Sequence, residues 1–208
     1  ISTPEDIGLY ERLFNDGSEF GLNISYKIQL RPEGLAQAFI LGEDFIGNSN
    51  VAMVLGDNIF YGAGFSEKLK GCVEIVNDEE KAIVFGYEVI DPSRYGVVDF
   101  DSEGNALSIE EKPKKPKSNL AVTGLYFYDN KVVKFAKSLK PSKRKELEIT
   151  DINNLYIKKS KLKCINLEQG AVWLDAGTST SLLHASQFVQ TIQERQQFLI
   201  GSPEDTAL

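Results

Sequence analysis

Histidine is nearly absent from this chain, His184 being the only one. With a single helical histidine and no GxSxG, a hydrolase triad has little to be built from; such a lone histidine ordinarily faces solvent or fills core. No HExxH, EF-hand loop or GxxxxGK[ST] occurs either, which sets aside the zinc-protease, calcium-switch and P-loop chemistries. Cysteine is as sparse. Cys72 and Cys164 form no CxxC and no metal-like cluster, and read as small buried hydrophobes of a reducing compartment, the cytoplasm. Long apolar runs are missing: stretches such as Val51 to Leu55 are far too short for a bilayer, and no leader-like segment opens the chain. Positive charge is in deficit, 23 Lys and Arg against 30 Asp and Glu, for a net charge of -7. That argues against a general nucleic-acid binder. It leaves room for a phosphorylated small molecule, which a local cationic pocket or a metal can hold. Ile1 is not an initiator methionine and Leu208 follows no stop signal, so both ends read as cuts.

What is present is an ordinary globular composition, 42% hydrophobic and 25% charged over 208 residues. It suits a single domain over 1–208, truncated at both ends. Thr3-Pro4-Glu5-Asp6 has the form of an N-cap, a first-turn proline and two acids, leading a helix that carries Ile7, Tyr10, Leu13 and Phe14. Ile24, Tyr26 and Ile28 alternate as a half-buried strand ending near Gln29, and 35–45 returns to helical spacing. Val51 to Leu55 has the composition of a strand covered on both faces, as in a parallel sheet. Further strands are expected at 82–89, 121–128, 162–167 and 171–174, and helices after Asp129, from Thr150 or Asp151, and from Thr178 to Phe198. Residues 95–100 and 106–111 flank Asp101-Ser102-Glu103-Gly104 as a hairpin. Strands alternating with helices, with one small antiparallel insertion, give an α/β fold with a mainly parallel central sheet flanked by helices.

In such sheets ligands sit beyond the carboxyl ends of the strands. Asp57 follows one strand end and Asp175 another, and two carboxylates there can hold Mg²⁺, which prefers hard oxygens and phosphate. The plainer alternative is that each aspartate caps its turn. Lys112, at the end of a strand and before Pro113, can neutralise a phosphate or simply be solvated. Glu111 can accept from sugar hydroxyls or pair with a lysine. Tyr95-Gly96 and Thr123-Gly124 offer backbone approach, or bulges.

Five segments together carry a resemblance. Leu55 to Gly62 (LGDNIFYG), Ser108 to Pro113 (SIEEKP), Val122 to Tyr128 (VTGLYFY), Glu146 to Asp151 (ELEITD) and Trp173 to Thr178 (WLDAGT) match, in order and spacing, the bacterial glucose-1-phosphate thymidylyltransferases. The chain resembles that family over essentially its whole length, which implies a Rossmann-like nucleotidyltransferase fold. It also implies that Asp57 and Asp175 hold Mg²⁺, that Gln29 and Gly34 read the thymine base with Leu35 beside it, and that Tyr95, Gly96, Glu111, Val122 and Tyr126 form the sugar wall. Lys112 then lies on the sugar phosphate. The implied reaction joins dTTP and α-D-glucose 1-phosphate into dTDP-glucose and pyrophosphate, the first step toward dTDP-rhamnose and related sugars. The enzymes are homotetramers inhibited by the end product.

The sequence departs from the family pattern in places. The glycine-rich loop GGxGTRL, which binds the triphosphate, would precede Ile1, and a C-terminal helical segment would follow Leu208. The chain alone is therefore expected to be inactive. Ala176 replaces the usual threonine, and Leu30-Arg31 departs from the usual turn. Two alternatives stand beside the leading reading: the same fold using UTP or another sugar 1-phosphate, and a non-catalytic sugar-nucleotide-binding module.

Overall fold

The computed structural model describes residues 1–101 and 105–202. They pack as two compact units, one of 33–173 and one of 1–32 with the segment from Leu174 onward.

The larger unit is organised by one strand. Leu120–Tyr128 is rich in β-branched and aromatic residues, as a buried strand should be, and all nine of its residues are buried. Taking strands in chain order, this is β6. Against it runs β1 (Val51–Val54), antiparallel, from Val51 opposite Tyr128 to Val54 opposite Leu125. β2 (Asn58–Tyr61) forms a separate two-stranded sheet with β8 (Val172–Asp175), whose first two residues belong to this unit. β3 (Ala82–Glu88) is antiparallel to β6 along nearly its whole length. β4 (Gly96–Phe100) joins β6 at Val97 opposite Ala121, β5 (Ala106–Glu111) pairs antiparallel with β4, and β7 (Leu162–Asn166) runs parallel to β3. The sheet order is β5-β4-β6-β3-β7, with β1 also on β6.

Because strand side chains alternate between faces, β6 feeds two cores. Val122, Tyr126 and Tyr128 meet Val84 and Val98 with Phe39 of helix α2 (Gln37–Leu41), Val132 of α5 (Lys131–Ser138) and Ile152 and Tyr156 of α6 (Ile149–Ile157). Leu125 and Phe127 meet Ile83, Phe85, and Cys72 and Val76 of α4 (Phe65–Glu79). α3 (Glu43–Ile46) follows α2 after Gly42. Helices thus cover both faces, the α/β arrangement expected.

The β3–β6 register moves from Val84 opposite Tyr126 to Gly86 opposite Val122, a bulge that spans Thr123 to Leu125. The Thr123 hydroxyl is buried there without a hydrogen-bond partner among the described residues.

In the smaller unit, α1 covers Ile7–Phe14 and α7 covers Ser179–Gln196, the latter opened by a Thr178–Ser181 capping box. Thr3 accepts from the Asp6 amide and its carbonyl from that of Ile7, but these bonds close a turn over 4–6; the N-cap of α1 is Asp6 and the helix starts at Ile7, three residues later than expected. Among the described residues no helix is long and apolar enough to cross a membrane.

Several local expectations change. In the six-stranded sheet β1–β6, β3–β6, β4–β5 and β4–β6 are antiparallel and β3–β7 is parallel; an apolar run has the same composition in either direction, so sequence alone does not choose. Val54 is 60% exposed and β1 alternates between half-buried and exposed, so it is not covered on both faces in this chain. The alternation at 24–28 yields no regular strand, only a parallel bridge between Ser2 and Ile28; Tyr26 instead donates its hydroxyl to the Asn15 carbonyl at 2.6 Å. The N-cap position of α6 falls at Glu148, whose side chain makes no cap bond, leaving Thr150 inside the first turn. β2 and α4 have no counterpart in the sequence reading. The hairpin is present as β4 and β5, closed by Asp101 and Asn105, while its tip at 102–104 lies outside the described residues.

Candidate active site

The hairpin register assembles the first part of the site. Gly96 lies opposite Glu111, and the Lys112 amide donates to the Tyr95 carbonyl at 2.9 Å. Tyr95, Gly96, Glu111 and Lys112 therefore share one end of the β4–β5 ladder. Lys112 has φ of +45°, the left-handed region, and stands before the buried Pro113. A proline disfavours helical conformations at the residue before it, so this backbone is strained, and such strain gathers at functional positions.

Glu111 is held from two sides. Thr150 donates to its Oε2 at 2.6 Å, and Arg144 Nη2 lies 3.6 Å from its Oε1. Arg144 in turn forks onto Glu148, from Nε at 3.0 Å and Nη2 at 2.7 Å, and Ser142 donates to the same carboxylate at 2.6 Å. Burial pushes the Glu148 carboxyl up, but the bonds from Arg144 and Ser142, with the charge of Lys112 nearby, outweigh it and leave it below the ordinary range. Both partners come from the ELEITD region or just before it. From the sequence alone Arg144 and Glu148 stand out for no role, and Thr150 looks like a helix cap until its partner is seen.

The second part lies at the corner between β1 and β2. Leu55 to Asn58 is a tight turn closed by Asn58 N–H on the Leu55 carbonyl at 3.1 Å, with Asp57 exposed in it. Asn58 Nδ2 donates to Asp57 Oδ1 at 2.7 Å. Its Oδ1 accepts from the Gly124 amide at 3.0 Å and from the Trp173 indole at 2.6 Å. Trp173 packs edge-on against Tyr95, ring centres 5.1 Å apart, and Tyr87, 5.8 Å apart. Neither Asn58 nor Trp173 stands among the residues the sequence singles out for a role, although both lie within the quoted motifs.

Tyr126 joins the two parts. Burial raises its hydroxyl pKa, and the negative charges of Glu111 and Asp57 raise it further; it stays protonated at any working pH. Val122 is buried on the same face, two residues before the Gly124 amide.

Gly34 and Leu35 belong to this unit too. Gly34 has φ of +102°, and a Cβ there would lie 2.3 Å from the Leu147 carbonyl oxygen. Segment 33–36 is laced to Leu147, whose amide donates to the Glu33 carbonyl at 2.7 Å and whose carbonyl accepts from Ala36 at 3.1 Å. Glycine is thus required by the backbone itself, and Leu35 beside it is 40% exposed. Gln29 and Asp175, the latter closing β8, fall in the smaller unit.

Among the described residues no group of three or more His, Cys, Asp or Glu side chains is arranged to hold a metal. Asp57 offers one carboxylate of hard oxygen, with Oδ1 oriented by Asn58. That chemistry fits Mg²⁺, which uses one or two carboxylates and takes its other ligands from phosphate and water.

Residues 1–192 match the family model described as nucleotidyl transferase. The chain belongs to that family. It is 54% identical to a glucose-1-phosphate thymidylyltransferase of Neisseria gonorrhoeae over 207 residues, all of this chain and 71% of that protein. Among solved structures it is similar to a Bacillus anthracis protein, assigned as a glucose-1-phosphate thymidylyltransferase and solved with sucrose. The TM-score is 0.82 and the identity 39%, over 98% of this chain and 77% of that one. A UDP-glucose pyrophosphorylase solved with UDP-glucose is more distant, TM-score 0.70 and 27% identical, over 80% of this chain and 66% of that one. The α/β fold is therefore that of a nucleotidyl transferase.

Proposed function

We propose that this nucleotidyl transferase chain serves the reaction of dTTP with α-D-glucose 1-phosphate, giving dTDP-glucose and pyrophosphate. The observation that carries the reading is the assembly of Tyr95, Gly96, Glu111 and Lys112 at one ladder end, with Glu111 anchored by Thr150. An oriented carboxylate with oxygens to spare is an acceptor for sugar hydroxyls. A lysine one residue on supplies a point charge for the phosphate that the same sugar carries.

The phosphate oxygen of the sugar attacks the α-phosphorus of dTTP in line, and the bond from that phosphorus to the pyrophosphate oxygen breaks. No covalent enzyme intermediate is needed, so positioning and charge neutralisation do the catalytic work. That accords with a chain having one histidine. Lys112 holds the nucleophilic phosphate, while Glu111, Gly96 and Tyr95 fix the sugar ring that carries it. Val122 and Tyr126 close the wall behind the sugar. Asp57 contributes a carboxylate for Mg²⁺, which when bound neutralises charge on the transferring phosphoryl group. The roles of Asp175 as second carboxylate, of Gln29 and Gly34 at the base and of Leu35 beside it rest on the family resemblance. So do a homotetrameric assembly and a cytoplasmic setting.

The test is pyrophosphate release by the full-length enzyme, with dTTP or UTP offered against glucose 1-phosphate and other sugar 1-phosphates. A clear preference for dTTP and glucose 1-phosphate supports the proposal. A preference for UTP would transfer it to the second reading, which the likeness to a UDP-glucose pyrophosphorylase favours. Sugar-nucleotide binding with no turnover would point to the non-catalytic one.

A further inference from the structure

Asn58 is the most constrained polar side chain at the β1–β2 corner, and its orientation follows from its neighbours. The Gly124 amide and the Trp173 indole N–H are donors that cannot accept. Both point at one terminal atom of Asn58, 3.0 and 2.6 Å away. That atom has to be the amide oxygen, so the NH₂ group is the one turned toward Asp57, 2.7 Å from its Oδ1. A reversed amide would set two donors against an NH₂ and an oxygen against a carboxylate.

The surroundings are built around this arrangement. A Cβ on Gly124 would lie 2.5 to 2.8 Å from the Asn58 amide atoms, so only glycine lets the side chain lie so close to the β6 bulge. Trp173 also packs edge-on against the Tyr87 and Tyr95 rings. The amide is thereby locked at two points before it reaches the carboxylate.

We infer that Asn58 is a positioning residue: locked by Trp173 and Gly124, it occupies one oxygen of Asp57 and turns the other toward the cation. The inference rests on the reading of Asp57 as a Mg²⁺ carboxylate, and it adds the reason why that carboxylate is pre-oriented. A ligating carboxylate held by a fixed donor loses less freedom when it binds a cation. Loss of such an outer partner typically costs about 10- to 100-fold in metal affinity. The lock also passes through Tyr95, so the ring on the sugar side and the carboxylate on the metal side share one rigid chain of contacts.

Three substitutions in the full-length enzyme test this by different routes. Trp173→Phe removes one donor and keeps an aromatic ring. Asn58→Leu removes both the donor to Asp57 and the acceptor of Trp173 at similar size. Gly124→Ala alters neither partner and displaces the amide by bulk. Each is expected to raise the Mg²⁺ concentration for half-maximal rate by about 10- to 100-fold. KM for glucose 1-phosphate at saturating Mg²⁺ should stay within about threefold, since uniform substrate binding is not the target.

A second readout needs no turnover. Trp173 is the only tryptophan of this chain, and its indole ¹⁵N–¹H resonance is assigned by its loss in Trp173→Phe. That resonance should exchange slowly with water, shift on addition of MgCl₂, and lose both properties in Asn58→Leu and Gly124→Ala. An indole that exchanges freely in the wild type overturns the inference, as does an unchanged Mg²⁺ requirement in the folded variants. Asp57→Asn separates the levels. If it abolishes the Mg²⁺ response while the three lock variants do not, the lock alone is wrong; if it leaves the response intact, the metal reading falls and the inference with it.

Discussion

Thr150, in the first turn of α6, donates its hydroxyl to Glu111, at the end of β5, across 39 residues of sequence and 2.6 Å of space. The carboxylate proposed to read the sugar is thus held by a helix of the core. Replacing Thr150 with valine keeps the volume and removes the donor. A hydrogen bond to a charged group contributes about 1.5–3 kcal/mol. KM for glucose 1-phosphate should rise at least about tenfold, with KM for dTTP little changed. Equal effects on both substrates would remove Glu111 from the sugar wall.

Asp57→Asn should cut turnover severely while leaving the circular dichroism spectrum and melting unchanged, because the turn needs only a small polar residue at that position. The same substitution at Asp175 is expected to behave alike. Near-normal rates at limiting Mg²⁺ in either variant would withdraw that residue from the metal site.

Lys112 offers a test in which stability and activity part company. Its φ of +45° costs an L-residue on the order of 1 kcal/mol, and glycine does not incur that cost. Lys112→Gly should melt at a higher temperature than Lys112→Ala, while both raise KM for glucose 1-phosphate far more than KM for dTTP. A glycine variant no more stable than the alanine one argues against strain at this position.

The Arg144–Glu148 pair predicts a pH effect of definite sign. Glu148 lies below its ordinary value near 4.5 in the folded chain. Its contribution to stability is therefore complete above that value and is lost as pH falls through the lowered one. Melting temperature should drop as pH is taken from about 5 to about 3, and Glu148→Gln should flatten that limb. A wild-type curve that is flat there would show that the fork onto Arg144 adds no stability.

Gly34→Ala places a Cβ against the Leu147 carbonyl in a backbone conformation that L-residues avoid. The obstacle is backbone on both sides, so no side chain can swing away. Destabilisation should exceed about 3 kcal/mol, among the larger effects of a single substitution. Urea denaturation with unchanged slope would measure it.

How much of this could be read from sequence depended on whether the deciding contacts were local. β6 was legible because nine consecutive buried residues make their own signal. The β4–β5 hairpin was legible because turn residues separate two alternating runs. The direction of β1 was not: Val51 to Val54 pairs with residues more than seventy positions later, and nothing in its own composition distinguishes parallel from antiparallel. For α4, Leu69, Cys72 and Val76 do fall at helical spacing, but Gly71 and the acidic residues after Val76 blunt the pattern. At the site, charged residues at strand ends could be nominated from position. The neutral residues that orient them could not, since Asn58 and Thr150 acquire meaning only from partners that folding brings near.

The wholly buried β6 also governs the order in which this molecule can be made. During synthesis β1, β3 and β4 all emerge before it. Until residues 120–128 appear, those three strands have no partner in β6, and their ladder edges stay open to other chains. Loop closures of tens of residues then have to occur almost together. The step that joins β1, β3 and β4 through β6 is accordingly the slow and vulnerable one, and a nascent chain halted before Leu120 is the form a chaperone would need to hold.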